Sequence, residues 1–320
     1  MKRISKTLGR VADLLMKWLL TPLEQFLLGS AAPDDDRFAC PVFIIGPPRS
    51  GTTLLYQVLV NRFNFVFLDN VASRLYAAPL VGIWLSKFLS VFLAKKQIGY
   101  ASNYGRTDSV FGPSEAGEFW YRWFPRGEHV YVPPGATKPQ SIQELRRQVV
   151  GISKKFKAPM LFKNTYNSMR IAPIAEAFPQ AVFLVCMRDE VDTAQSILEG
   201  RVKRNGNKTD WFSVPPRQID EIKAHPYWEQ VVEQVYYIYR QIDEDIQRLG
   251  PERFLRISYR RLCEDTRGTM DEIARFFESR GVDVSVRNEV PENFPYSTGK
   301  KIDDADYVRL QEAVNRLWKP

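Results

Sequence analysis

Residues 41–60 read PVFIIGPPRSGTTLLYQVLV. A short apolar run gives way to a Gly/Pro turn bearing one arginine, and hydroxyl residues then open an amphipathic segment. This predicts a strand, a tight turn and a helix. Gly46 and Gly51 permit backbone conformations that turn amide N–H groups inward, and the helix N-terminus adds the positive end of its dipole, so the loop is suited to an anion. Ser50, Thr52 and Thr53 supply hydroxyl donors, and Arg49 a planar charged fork. A nucleoside triphosphatase loop would carry GxxxxGK[ST], with lysine on the terminal phosphates. That lysine is missing here.

Further strand and helix units follow. AFPQAVFLVCMRDEVDTAQSILEG (177–200) contains an apolar run ending at Arg188 and then a helix with Asp189 and Asp192 in its first turns. Before it, APMLFKNTYNSMRIAPIAEAFP (158–179) supplies another apolar run, a break at KN and a helix. RFLRISYRRLCED gives a further strand, and TRGTMDEIARFFESRG a helix that stops at Gly281. The alternation predicts an α/β fold: a P-loop-type, doubly wound, largely parallel sheet flanked by helices, with ligands at the carboxyl ends of the strands. The chain divides into a basic amphipathic segment over 1–37 and one α/β domain over 38–320. Helical and loop insertions fall near 75–155 and 200–235. The stretch 100–139, rich in Gly, Pro and aromatic residues, is expected as a structured loop lining the substrate cleft.

Composition sets the outer limits. The 320 residues are 44% hydrophobic, enough for a continuous core. A formal net charge of +8 favours anionic partners: nucleotides, acidic glycans, nucleic acid or a lipid surface. No nucleic-acid partner is expected. Cys40, Cys186 and Cys263 are odd in number and far apart, which fits neither a disulfide framework nor a CxxC metal site and suggests a reducing, cytoplasmic setting. His129 and His225 are the only histidines, which excludes a multi-histidine metal site. The first 30 residues mix Lys and Arg with Leu, Val, Met and Trp at helical spacing, and LLMKWLL is too short to span a bilayer. Peripheral contact with an anionic membrane through this helix is the expectation. The second apolar segment, 77–96, contains Ser86, Lys87 and Ser90, and reads as an amphipathic helix capping the core or acceptor cleft in preference to a membrane anchor.

The GPPRSGTT loop resembles the 5′-phosphosulfate loop of sulfotransferases that use 3′-phosphoadenylyl sulfate (PAPS), particularly the PRSGTT variant of tyrosylprotein and bacterial carbohydrate-type enzymes. The resemblance implies that Arg49, Ser50, Gly51, Thr52 and Thr53 cradle the 5′-phosphosulfate. In VCMRDEVDTAQSI it implies that Arg188 and Ser196, eight positions apart, grip the donor's 3′-phosphate. In MLFKNTYN it places Lys163 against the oxygen bridging phosphate and sulfur; Thr165 stands where the usual KDP or KSP motif has proline. ISYRRL is similar to the family's YExL segment, so Tyr259 either contacts adenine or packs under the sheet. Ser297, Lys300 and Lys301 resemble a late basic loop that closes over the donor. These matches cover 41–69, 158–200 and 250–300.

A base for the acceptor hydroxyl is less fixed. Where tyrosylprotein enzymes carry a glutamate after the loop helix, this chain has Asn70, with Asp69 beside it. Glu115, after a Gly-Pro turn and opening an aromatic-rich helix, ranks first, then Asp69, then Glu118 one turn beyond Glu115, with His129 an outsider. The resemblance thus implies sulfuryl transfer without a metal ion to a hydroxyl, or an amine, of a glycan, lipid-linked or small-molecule acceptor, releasing adenosine 3′,5′-bisphosphate. Two other classes stay open: a P-loop small-molecule kinase, with Asp189 on Mg²⁺, and a non-enzymatic polyanion- or membrane-binding protein.

Overall fold

Along PVFII, alternate side chains face opposite ways and both sets are apolar, so this strand needs cover on both faces. The computed structural model describes residues 16–29, 38, 40–93, 99, 100, 102, 103, 106, 107 and 109–318. In it β1 (Val42–Ile45) lies between β2 (Leu161–Lys163) and β3 (Val182–Met187), and β4 (Phe254–Ser258) pairs with the far side of β3. All four are parallel, in the order β2-β1-β3-β4. Phe43 and Ile45 enter one core cluster, Val42 and Ile44 the other. The register sets Phe43 beside Phe162 and Phe183, and the three rings stack at 5.3 and 5.5 Å. Beyond β2 an extended segment continues the sheet, with Val66 N donating to Pro159 O at 3.0 Å and Leu161 N to Val66 O at 2.8 Å.

The longer helices are α1 (Thr21–Leu28), α2 (Thr52–Arg62), α3 (Pro79–Phe92), α4 (Pro139–Phe156), α5 (Ile171–Ala177), α6 (Glu190–Asn205), α7 (Tyr227–Leu249), α8 (Thr266–Ser279) and α9 (Asp304–Trp318). Leu55, Val58 and Leu59 of α2 and Ile273 and Phe277 of α8 cover one face of the sheet. Residues of α4 to α7 and α9 cover the other. Gly281, at φ 68°, stands two residues past α8 where its sequence signals a stop.

Two expectations about local structure are modified. The N-terminal helix spans Thr21–Leu28 after a five-residue π-turn at Met16–Leu20; its foreseen beginning, over 2–15, lies outside the described residues. Glu115 does not open a helix shared with Glu118. Ala116 has φ 47°, a left-handed conformation that interrupts the turn, and only Gly117–Trp120 is helical.

Glu24 knots the terminal helix to the body. Its carboxylate accepts from Leu80 N at 2.9 Å and Val81 N at 3.1 Å, capping α3, and from Gln148 Nε2 of α4 at 3.3 Å. Burial pushes this carboxyl's pKa up, while the two backbone donors pull it back.

At the start of α7, His225 Nδ1 lies 2.8 and 2.9 Å from the two carboxylate oxygens of Glu233. Hydrogen bonding to that carboxylate raises the imidazole pKa above its ordinary 6.5. A raised folded-state pKa gives stability that is fully present below 6.5 and lost as pH rises through the folded value. His225→Gln should therefore lower the melting temperature most in acidic buffer, by the equivalent of no more than ~1 kcal/mol at this half-exposed site. The deficit should close as pH climbs, as a pH series of thermal denaturation would show. A constant deficit at every pH would contradict the assignment.

Candidate functional site

Four of the candidate positions sit at the carboxyl end of a strand or just beyond it, whereas Ser196 lies within α6. Arg49 follows β1, Lys163 ends β2, Arg188 follows β3 and Tyr259 follows β4. Parallel strands bring those ends together, and a cleft of about 650 Å³ opens there. Arg49, Gly51, Thr52, Thr53, Glu115, Lys163, Arg188 and Tyr259 all line it.

The loop after β1 holds a demanding backbone. Gly46 has φ 142°, and a Cβ there would lie 3.0 Å from Cys186 O. Ser168 Oγ accepts from Gly46 N at 3.0 Å and donates to Gly46 O at 3.2 Å. Arg49 adopts φ 72°, rare for a residue with a side chain. Gly51, at φ 98°, has no room for a Cβ, which would stand 2.1 Å from Cδ2 of Tyr259. Ser50 lies beneath the loop, its hydroxyl donating to Pro47 O at 2.8 Å, and so braces the turn from inside. Buried Thr52 and half-buried Thr53 begin α2 at the cleft.

Arg188 is built into the same place. Its Nη1 donates to Arg49 O at 2.8 Å and its Nη2 to Ser297 O at 2.6 Å. Its guanidinium lies 5.0 Å from the Tyr259 ring centre. Its Nε is buried without a hydrogen-bond partner among the described residues. Both of these partners are neutral carbonyls, and no carboxylate among the described residues forms an ion pair with this guanidinium. Tyr239 fixes the strand end, its hydroxyl donating to Cys186 O at 3.0 Å and accepting from Arg188 N at 3.3 Å. Ser196 Oγ accepts from Arg49 Nε at 2.9 Å, so Arg49, Arg188 and Ser196 form one connected group.

Across the cleft, the buried ammonium of Lys163 is ion-paired with Glu115, whose carboxylate is about one-third exposed. Asn164 Nδ2 donates to Glu115 O at 3.0 Å and so locks the loop carrying Glu115 to the end of β2. Burial, reinforced by Tyr121 and Glu115, pushes the neighbouring Tyr166 phenol up to about 12, leaving it a neutral donor at working pH.

The other base candidates are placed elsewhere. Asp69 accepts from Val71 N at 3.0 Å, from Ala72 N at 2.7 Å and from the Ser86 hydroxyl, as a cap, and it does not line the cleft. Burial raises its pKa against the lowering effect of those hydrogen bonds. Asn70 Nδ2 donates to Ser109 O at 2.8 Å. Glu118 pairs with the exposed Arg126, and exposed His129 lies 4.0 Å from Asp220.

Sequence reasoning passed over Thr165 as a lining residue, and over Phe212 and Ser213, which also face the cleft. Ser213 has φ 69°. A Cβ on Gly200 of α6 would lie 2.8 Å from the Phe212 ring, so the absence of one seats that loop. The pairing of Gly200 with an aromatic residue twelve positions on was the available signal. The 297–301 loop docks as a unit: Gln195 Nε2 donates to Gly299 O at 2.8 Å, Lys301 N to Gln195 Oε1 at 3.1 Å, and the Lys301 ammonium bonds the Ser297 hydroxyl. Lys300 turns away to Asp304.

A family model described as the sulfotransferase family matches residues 41–282, well over half of the chain. The chain belongs to that family and is an enzyme of sulfuryl transfer. Among solved structures, a sulfotransferase from Mycobacterium avium is 13% identical, with a TM-score of 0.47 over 86% of this chain and 68% of that one. One from Mycobacterium tuberculosis is 12% identical, TM-score 0.47, over 88% and 76%. One from Alicyclobacillus acidocaldarius is 13% identical, TM-score 0.39, over 86% and 96%. No curated protein matches the sequence.

The contact between Gly51 and Tyr259 is open to a double-mutant cycle. Gly51→Ala should cost at least ~1 kcal/mol, from backbone strain and the clash with the ring. In a Tyr259→Ala background the same change should cost less, because only the strain remains. Equal losses in both backgrounds, measured by urea denaturation, would show that the ring yields freely.

Proposed function

We propose that this enzyme moves the sulfuryl group of PAPS to a hydroxyl of a glycan, lipid-linked or small-molecule acceptor, with Glu115 as the base and Lys163 at the leaving oxygen. One observation carries the reading: Lys163 and Glu115 form an ion pair inside the cleft, opposite the loop that Arg49 and Arg188 surround. Two features fit the donor. Among the described residues, Arg188 presents an unpartnered Nε and a positive charge that no carboxylate ion-pairs, as a phosphate site requires. The turn has no room for a Cβ at Gly46 or Gly51, so its backbone is bare where it enters the N-terminus of α2, which favours an anion.

When bound, the donor supplies a sulfuryl group activated by its anhydride bond to phosphate. Arg49, the amides of Gly51, Thr52 and Thr53 and the hydroxyls of Thr52 and Thr53 hold the 5′ end, with Ser50 bracing the loop from beneath, while Arg188 and Ser196 hold the 3′-phosphate. Tyr259, packed on Gly51 and Arg188, would contact adenine. Glu115 receives the proton of the acceptor hydroxyl as that oxygen becomes a nucleophile, and must stand within hydrogen-bond reach of it. Lys163 places its ammonium where negative charge collects on the departing phosphate. A sulfuryl group carries less negative charge than a terminal phosphoryl group, so arginine, lysine and amides meet the need without a metal ion. The kinase reading loses its proposed metal ligand: Asp189 caps α6, accepting from Asp192 N at 2.8 Å. The free cysteines, all buried, accord with a cytoplasmic setting. No helix among the described residues is long and apolar enough to cross a membrane.

Titration calorimetry tests the donor first. Adenosine 3′,5′-bisphosphate should bind in the presence of chelator; tight ATP binding that requires Mg²⁺, with no response to the bisphosphate, would instead establish a kinase. The residues separate next. Arg188→Ala should chiefly weaken bisphosphate binding, because its partner is held alike in ground and transition states. Lys163→Ala and Glu115→Gln should leave that affinity within a few fold yet lower single-turnover sulfate release by ~10²- to 10³-fold. The double variant should be scarcely worse than the poorer single one, since the two act as a unit. Near-normal turnover in Glu115→Gln, with loss in Asp69→Asn, would move the base to Asp69.

A further inference from the structure

Two helices outside the cleft expose more apolar surface than the fold requires. On α3, Leu80, Ile83 and Ser86 face inward, while Trp84, Leu85, Phe88, Val91 and Phe92 form a second stripe at helical spacing, turned to solvent. Phe88 is 61% exposed, Val91 75% and Phe92 70%. On α1, Glu24 and Leu28 point in, whereas Leu23 and Phe26 point out, continuing from Trp18 and Leu19. Phe26 is 81% exposed. Glu24 caps α3, so the two stripes belong to neighbouring helices. An ordinary surface helix would carry charge on such a face.

The sequence flanking these stripes is rich in cations, although Asp34, Asp35 and Asp36 follow α1. From Asn70 to Thr107 the sequence contains no Asp or Glu, but it contains Arg74, Lys87, Lys95, Lys96 and Arg106. Lys2, Arg3, Lys6, Arg10 and Lys17 precede α1, against Asp13 alone. The acid within α1 itself, Glu24, is buried in its cap. Exposed Lys155 and Lys157 end α4 close by, since the Lys87 ammonium sits 3.9 Å over the ring of Phe156. Apolar stripes bearing tryptophan, flanked by cations and with no exposed acid on α1 or α3 themselves, match the headgroup and acyl boundary of an anionic bilayer. With 14 residues α3 is about 21 Å long, too short to span a bilayer but suited to lie in its surface. A second copy of the chain would bring two basic rims together, which the like charge opposes.

We propose that α1 and α3 together form a docking face for anionic membrane, with α3 providing much of the apolar contact. This extends the basic N-terminal helix to a second, larger element and is independent of the identity of the sulfuryl acceptor.

Flotation of the full chain with vesicles tests it. Wild type should float with an equimolar phosphatidylcholine–phosphatidylglycerol mixture, float poorly with phosphatidylcholine alone, and be weakened by salt. Phe88→Asp with Phe92→Asp should reduce partitioning by about tenfold or more, while melting temperature and bisphosphate affinity stay at wild-type values. Those last two readings separate a failed membrane face from a misfolded protein or a mistaken donor site. Three results would each overturn the proposal: no flotation of wild type with the anionic vesicles, equal flotation of the double variant, or a wild-type dimer by light scattering that the double variant dissociates.

Discussion

A strand of four residues carries the architecture. Val42–Ile45 is buried on both faces, and its register against β2 and β3 decides where Gly46, Lys163 and Arg188 emerge. Because side chains alternate along a strand, a slip of one position would exchange the two core faces and turn Phe43 away from Phe162 and Phe183. The cost of exposing that aromatic stack pins the register, and the register in turn brings three strand ends to a common edge. Ser168, bonded to both the amide and the carbonyl of Gly46, fixes the first peptide beyond the strand.

Buried arginines are treated differently within this frame. Arg170 is fully buried, surrounded by the rings of Tyr121, Phe124 and Tyr166, with Nη2 donating to Pro125 O at 2.8 Å. Arg201 donates to Gln230 Oε1 at 2.8 Å and lies over Trp211. Burial lowers the pKa of each to about 10. Their charges are spread over aromatic faces and neutral acceptors, as suits a weakly hydrated guanidinium. Arg188 uses the same device but stands at the wall of an open cleft. What lies wholly inside the protein in two cases stands, in the third, where the cleft can reach it.

Much of the cleft wall formed by the β1 loop was legible in the sequence because it is local: strand, turn and helix occur within twenty residues, and glycine, hydroxyl and arginine each have a reason to be there. The strand ends at Lys163 and Arg188 were legible from apolar runs of strand length that stop at a cation. What the sequence could not show is which partner each group takes across the fold. Arg49 and Ser196 are 147 positions apart yet bonded, and Asp69 is taken up by Ser86 and two nearby amides. The left-handed Ala116 that turns Glu115 away from Glu118 has no signature in its own residue type. The outward apolar face of α3 was legible as composition, but its exposure depends on how α3 is anchored.

That anchoring gives the N-terminal helix a place in the inner workings of the enzyme. Glu24 holds the first amides of α3; Ser86 of α3 holds Asp69; Asp69 bridges to Pro113; and Ser114 N, bonded to Leu68 O at 2.9 Å, adjoins Glu115. A chain shortened to residue 41, where the family match begins, would retain every strand and the whole loop from β1 to α2. It would nevertheless lose the first link of this series, leaving two amides of a largely apolar helix uncapped at the far end of the scaffold that holds Glu115. The boundary at which sequences of the family become recognisable is therefore different from the boundary at which this molecule becomes mechanically complete.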